Sequence, residues 1–207
     1  KLRNRYNSGF IQSGSQEGVI EDGSLVSPHP IFNIGIHGEN QLVSIIDTGV
    51  DYNHAFFFDP NNKIEINKTM ENHRKIAKYY NFANPNDGSN GHGTHCAGIL
   101  TGESYINNSG LILYSGMAPK ARLVVADVGF TGSDLNGEFD QFELFNFFDK
   151  DGVSICSNSW GFDANEDAKL DTLMYDYIGF LHPHMLLVFA AGNEARSAPY
   201  FYTINSP

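Results

Sequence analysis

Short apolar runs that alternate with stretches of helical periodicity constrain this chain more than any other feature, because they mark strand-helix-strand crossovers and a parallel sheet. The runs fall at residues 41–46, 75–80, 122–126, 153–158 and 185–190. Their apolar density predicts burial on both faces, although the run at 75–80 is more polar and is expected at a sheet edge. Residues 138–150 set Phe139, Phe142, Leu144, Phe145 and Phe148 on one stripe, with Asp140, Gln141 and Asp149 pointing away. Residues 167–179 repeat the arrangement with Leu170, Leu173, Met174, Tyr177 and Ile178, and Gly179 reads as a stop. Both stripes are expected in the core. The expected architecture is an α/β three-layer sandwich over residues 41–207 with a mostly parallel sheet, behind an irregular glycine- and proline-containing arm at residues 1–40.

Composition narrows the function. The 207 residues, 41% hydrophobic and 18% charged, suit one globular domain with a sizeable core. Against 24 acidic residues stand 13 lysines and arginines, and the resulting net charge of −11 argues against a nucleic-acid partner. The longest apolar runs, such as residues 185–191, fall far short of the roughly 20 residues that span a bilayer, so no membrane contact is expected from this segment. The triplets Asn67-Lys68-Thr69 and Asn107-Asn108-Ser109 fit the N-glycosylation pattern and favour a secreted or vesicular location.

Three segments can carry chemistry. In Val43-Ser44-Ile45-Ile46-Asp47-Thr48-Gly49 a carboxylate ends an apolar strand, where sites form in open α/β sheets and where a buried carboxylate can hold an imidazole. A simple turn cap fits Asp47 equally well. In Asn90-Gly91-His92-Gly93-Thr94-His95-Cys96-Ala97-Gly98 small residues let a helix pack closely and hold His92 near the helix start, a rigid mount that suits a general base. Because His92, His95 and Cys96 are also competent metal ligands, a metal reading stays open, but no second ligand pair has zinc-like spacing and none is assigned. The loop His182-Pro183-His184 reads as a solvated turn. In Leu186-Leu187-Val188-Phe189-Ala190-Ala191-Gly192-Asn193 a second strand ends in an amide. Asn193 is either a turn former or a donor to a developing oxyanion.

Together, in this order on an α/β pattern, these segments resemble the subtilisin-like (subtilase) serine proteases. Ser115-Gly116-Met117-Ala118-Pro119-Lys120-Ala121 and Asn158-Ser159-Trp160-Gly161 look like the family's linking segments. The resemblance implies that Asp47 and His92 are triad members and that Asn193 belongs to the oxyanion hole. It further implies that Ser159, Trp160, Gly161, Ala190, Ala191 and Gly192 border the specificity pocket, with Gly132, within residues 129–134, beside the extended substrate strand. The implied activity is a serine endopeptidase acting on proteins and peptides, with an Asp-His-Ser order of triad residues.

One departure qualifies this. No Gly-Thr-Ser-Met-Ala-like segment occurs in the 207 residues, so the domain is expected to be partial, with the serine in the remaining C-terminal part of the protease, in the same or another chain. Ser197 and Ser206 lack the small-residue surroundings that a nucleophile wants. The isolated chain is then inactive, and a peptide-binding shell without catalysis is the alternative. A lesser alternative treats Asp47-Thr48-Gly49 as the motif of an aspartic protease, which requires an all-β chain and leaves His92-Gly93-Thr94-His95 unexplained. The resemblance makes Cys96 a buried free thiol, although a Cys96 to Cys156 bridge remains open. No cofactor is expected. Structural calcium is possible in this family, but no ligand set is identifiable, and Asp51 and the Asp-Pro-Asn-Asn stretch at residues 59–62 read as exposed turns.

Overall fold

The computed structural model describes residues 30–88, 90–106, 115–129, 135, 139–161 and 168–193. Within them five strands form one parallel sheet: β1 (Leu42–Asp47), β2 (Ile76–Asn81), β3 (Arg122–Asp127), β4 (Ile155–Asn158) and β5 (Leu186–Phe189). The order is β2-β3-β1-β4-β5, which places β1 in the middle. Four helices accompany it: the single turn α1 (Pro30–Asn33), α2 (His92–Thr101), α3 (Gln141–Asp151) and α4 (Ala168–Leu181).

The pleat of β1 divides the core into two. Ile45 faces a cluster with Val50, Tyr79, Leu123 and Val125 that α2 covers with Cys96 and Ala97. Ile46 faces the opposite cluster, where Leu144, Phe145 and Phe148 of α3 and Tyr175 and Ile178 of α4 pack against Val124, Ala126 and Cys156. Alternating side chains on fully buried strands thus produce three layers, as the apolar runs predict. Helix α3 is stopped at both ends by its own sequence. The Asp140 carboxylate accepts the Glu143 amide at 3.0 Å, and Gly152 ends the helix at φ 81°.

Strand β2 lies at the sheet edge, as expected, yet its edge is sealed. Thr69 forms an antiparallel bridge with Lys78, and the amides of Asn67 and Met70 donate to the carbonyls of Tyr79 and Ala77 at 2.8 Å. A second edge rule applies at β5, whose Leu186 and Val188 are 60% and 45% exposed. Burial on both faces therefore fails for this strand.

Helix α4 corrects a further expectation. Of the expected stripe Met174 and Ile178 face the core, joined by Tyr175, whereas Leu170, Leu173 and Tyr177 are exposed. With apolar residues on nearly all sides, periodicity alone does not choose a face. Gly179 does not end the helix, which runs on to Leu181. On α3 the same ambiguity misplaces Phe142, which is partly exposed and meets Tyr177 edge-on. His182 is buried rather than solvated, while its neighbour His184 is exposed and contacts Asp149 at 2.8 Å. Within the expected N-terminal arm only residues 30–40 lie among the described residues, and they include the turn α1.

Candidate active site

Strand β1 delivers Asp47 to the centre of the sheet's carboxyl end, where the chain turns away through Thr48 and Gly49. Gly49 adopts φ 98°, a left-handed conformation that side chains resist, and a Cβ there would collide with the Asn86 carbonyl and the Asp127 carboxylate. The start of α2 approaches this turn closely. A Cβ on Gly93 would lie 2.0 Å from the Gly49 carbonyl oxygen, so a glycine at this helix position lets His92 reach Asp47.

The reach is complete. Asp47 Oδ1 lies 2.7 Å from His92 Nδ1 and also accepts the Thr48 amide at 2.7 Å. The carboxylate is buried, whereas the imidazole side chain is 41% exposed toward a cleft. The hydrogen bond to Asp47 raises the pKa of His92, with Cys96 adding to it against the cost of burial. Cys96, one helical turn on, places its Sγ 3.9 Å from both ring nitrogens. Cys96 and Cys156 are both buried free thiols, so no bridge joins them. Asp47, His92 and Cys96 are the described residues whose ligand atoms converge, whereas His95 is exposed on the same helix and stands outside the group.

The cleft is a cavity of about 230 Å³ lined by Asp47, His92, Leu135, Ser159, Trp160, Gly161, Ala190, Gly192 and Asn193. Most arrive from strand ends: Asp47 closes β1, Ser159 to Gly161 follow β4, and Ala190 to Asn193 follow β5, while His92 opens α2. Trp160 donates from Nε1 to the Ile46 carbonyl at 3.0 Å and packs against Tyr175 and Phe189, which fixes one wall. Asn193 borders the same cavity as His92, beyond Gly192 at φ 99°. Ala191 is exposed beside this wall and does not line it. Gly132, Ser197, Ser206 and the Asn107 triplet lie outside the described residues.

Asp59, expected in an exposed turn, is instead buried, which opposes ionisation of its carboxylate. The amides of Arg74, Asn61 and Asn62 and the Asn62 side chain nevertheless donate to it and hold its pKa down at about 2. Asp51, for its part, accepts the Asn53 amide. Nearby, the Arg74 guanidinium donates to the carbonyls of Ala55, Phe58 and Glu103, and so draws two loops together with its own charge.

Sequence reasoning missed Thr48 and Asp87. The Thr48 hydroxyl donates to Asp87 Oδ1 at 2.7 Å, and Asp87 Oδ2 accepts the Thr94 amide at 2.8 Å. A carboxylate a few residues before a helix whose first turn carries no acid was the available signal.

A parallel α/β sheet with a buried carboxylate at a strand end, bonded to an imidazole at a helix start, has the fold of the subtilisin type. The profile described as the Subtilase family matches residues 38–207, and the chain belongs to that family. It is 30% identical over 171 residues to a serine protease/ABC transporter B family protein, tagB, of Dictyostelium discoideum, covering 78% of this chain and 9% of that protein. Subtilisin-like protease 2 of Plasmodium falciparum is 31% identical over 170 residues, 80% of this chain and 12% of that one. The chain thus spans about a tenth of the length of these relatives. The solved structure of the Clostridium perfringens CspB protease matches with a TM-score of 0.55 at 24% identity, over 81% of this chain and 39% of that one, and so shares the fold.

Proposed function

We propose that this chain supplies the acid-base half and the oxyanion side of a serine endopeptidase. The observation that carries the reading is the 2.7 Å hydrogen bond between a buried carboxylate and a cleft-facing imidazole. In this reading His92 Nε2 takes the proton of a serine hydroxyl as that oxygen attacks the scissile carbonyl, and later returns it to the leaving amine. Asp47 holds the Nδ1–H tautomer and stabilises the imidazolium. Asn193 donates its amide hydrogens to the tetrahedral oxyanion. The substrate strand is a segment of protein or peptide lying against Ser159 to Gly161 and Ala190 to Gly192.

The nucleophile belongs, in this reading, to the remaining part of the protease, because no Gly-Thr-Ser-Met-Ala-like segment occurs in these 207 residues. The aspartic-protease alternative loses its basis, since it needs an all-β chain and the sheet is parallel with helices on both faces. A secretory or vesicular route fits the exposed Asn67 of the acceptor triplet, and no described helix is long and apolar enough to cross a membrane.

The test is fluorophosphonate labelling of the native protease, with the labelled peptide identified by mass spectrometry, beside a His92→Ala variant of the whole protein. Labelling of one serine, lost in the variant together with peptide hydrolysis, supports the reading. Absence of label in a folded protein of full length overturns it in favour of a peptide-binding shell.

A further inference from the structure

We infer that Asp87 is a positioning residue for the Asp47–His92 pair, acting through the Thr48 hydroxyl and the first amides of α2. The inference rests on the proposed triad roles of Asp47 and His92. Asp87 touches neither the substrate cleft nor the imidazole. Its carboxylate ties the turn after β1 to the helix that carries His92.

The network is closed. Thr48 Oγ1 donates to Asp87 Oδ1 at 2.7 Å and accepts the Gly93 amide at 3.0 Å. Asp87 Oδ2 accepts the Thr94 amide at 2.8 Å, and Thr94 Oγ1 accepts the Asp51 amide at 2.7 Å. The Gly88 amide returns to the Thr48 carbonyl at 3.0 Å. Two residues of the helix start and two of the turn are therefore held to one another beside the His92 to Asp47 bond. The N-cap residue Gly91 has no side chain to offer these amides, so Asp87 takes the place of a cap from outside the helix.

Proton placement adds a second effect. Thr48 has one hydroxyl hydrogen and two carboxylate acceptors within reach, Asp87 at 2.7 Å and Asp47 Oδ1 at 3.2 Å. The shorter contact takes the proton. Asp47 Oδ1 then keeps its negative charge for the imidazole, since Oδ2 is buried without a partner among the described residues. An amide at position 87 changes this arrangement. Its carbonyl accepts the fixed Thr94 amide, its NH₂ faces Thr48 Oγ1, and the hydroxyl hydrogen turns to Asp47. Asp47 then supports the imidazolium less well, and one nearby negative charge is gone. Both changes lower the basicity of His92. The titratable groups around the pair are Asp47 from β1 and Cys96 from α2, with Asp87 behind them coupled to Asp127 of β3 and Tyr79 of β2.

The experiment uses the whole protease with Asp87→Asn, Thr48→Ser and Thr48→Val, each checked for native folding by its thermal transition. The expected result for Asp87→Asn is a kcat lowered about tenfold at nearly unchanged KM, with the acid limb of the kcat/KM profile moved to lower pH. Thr48→Val should lose a similar factor, and Thr48→Ser should restore it. An unmoved acid limb and unchanged kcat in folded Asp87→Asn would overturn the inference, as would a Thr48→Ser variant as impaired as Thr48→Val. The low-field proton resonance of His92 Nδ1 supplies a readout that needs no turnover. Its titration midpoint should fall in Asp87→Asn. An inactive wild type with a shifted midpoint breaks the proposed function alone, and an active wild type with an unmoved midpoint breaks this inference alone.

Discussion

The two halves of the cleft are built to different standards. Around β1 the last five residues are buried, Asp47 is enclosed by Thr48 and the start of α2, and Ile45 and Ile46 anchor a core on each face. Around β5 no residue of the strand is buried, and Ala190 to Asn193 are exposed. Exposed Leu170, Leu173, Tyr177 and Phe180 extend the open surface along α4. The carboxylate-imidazole pair is therefore made by the described residues alone. The proposed oxyanion side rests on the periphery of the sheet, where Asn193 follows an edge strand. Preorganised donors act because they do not move when charge develops, so the two halves differ in how much support their chemistry has.

The largest expected effect tests the better-built half. In the active protease Asp47→Asn should reduce kcat by about 10⁴-fold through the wrong imidazole tautomer, read from steady-state peptide hydrolysis. Phe145→Ala removes a fully buried ring between α3 and the sheet and should cost roughly 3–5 kcal/mol in chemical denaturation. Asn193→Ala should cost roughly 10²–10³ in kcat, a magnitude taken from subtilisin's own oxyanion asparagine. A loss as large as that of Asp47→Asn would erase the contrast.

Acid should strike the closed side. His73, three residues before β2, is buried and accepts the amides of Lys75 and Ile76 on Nδ1, which fits the neutral ring. Burial, first, lowers its pKa from 6.5 to about 4. The unfolded chain therefore binds the proton more readily, so the stability His73 supports is complete above pH 6.5 and is lost as pH falls through 4. The melting temperature should drop across that interval, and less steeply in His73→Asn, whose carbonyl still accepts. The smallest effect belongs to the open side, where Leu186→Ala should change stability by no more than about 0.5 kcal/mol.

Much of this was legible in the sequence, and unevenly so. Each strand appeared as an apolar run, with ends displaced by no more than two residues, because strands of a parallel sheet are apolar in composition, even β5, which the described residues leave unburied. Asp47, His92 and Asn193 stood out because strand ends and small-residue helices are local patterns. The faces of α4 did not, since Leu170 and Leu173 are as apolar as the buried Ile178 and only tertiary contact separates them. Asp87 offered a signal as an outside cap for α2, but its tie to Thr48 was not legible. Its partners Thr48 and Thr94 are set by folding, and no spacing rule joins a loop carboxylate to a hydroxyl 39 positions earlier.

The antiparallel cover over β2 gives the sheet a direction of growth. With the outer carbonyls of Ala77 and Tyr79 already engaged by Met70 and Asn67, one margin is stitched shut. Among the described residues the margin beside β5 carries no such cover, so a further strand recruited to this sheet would join there, like cloth added at a single raw hem.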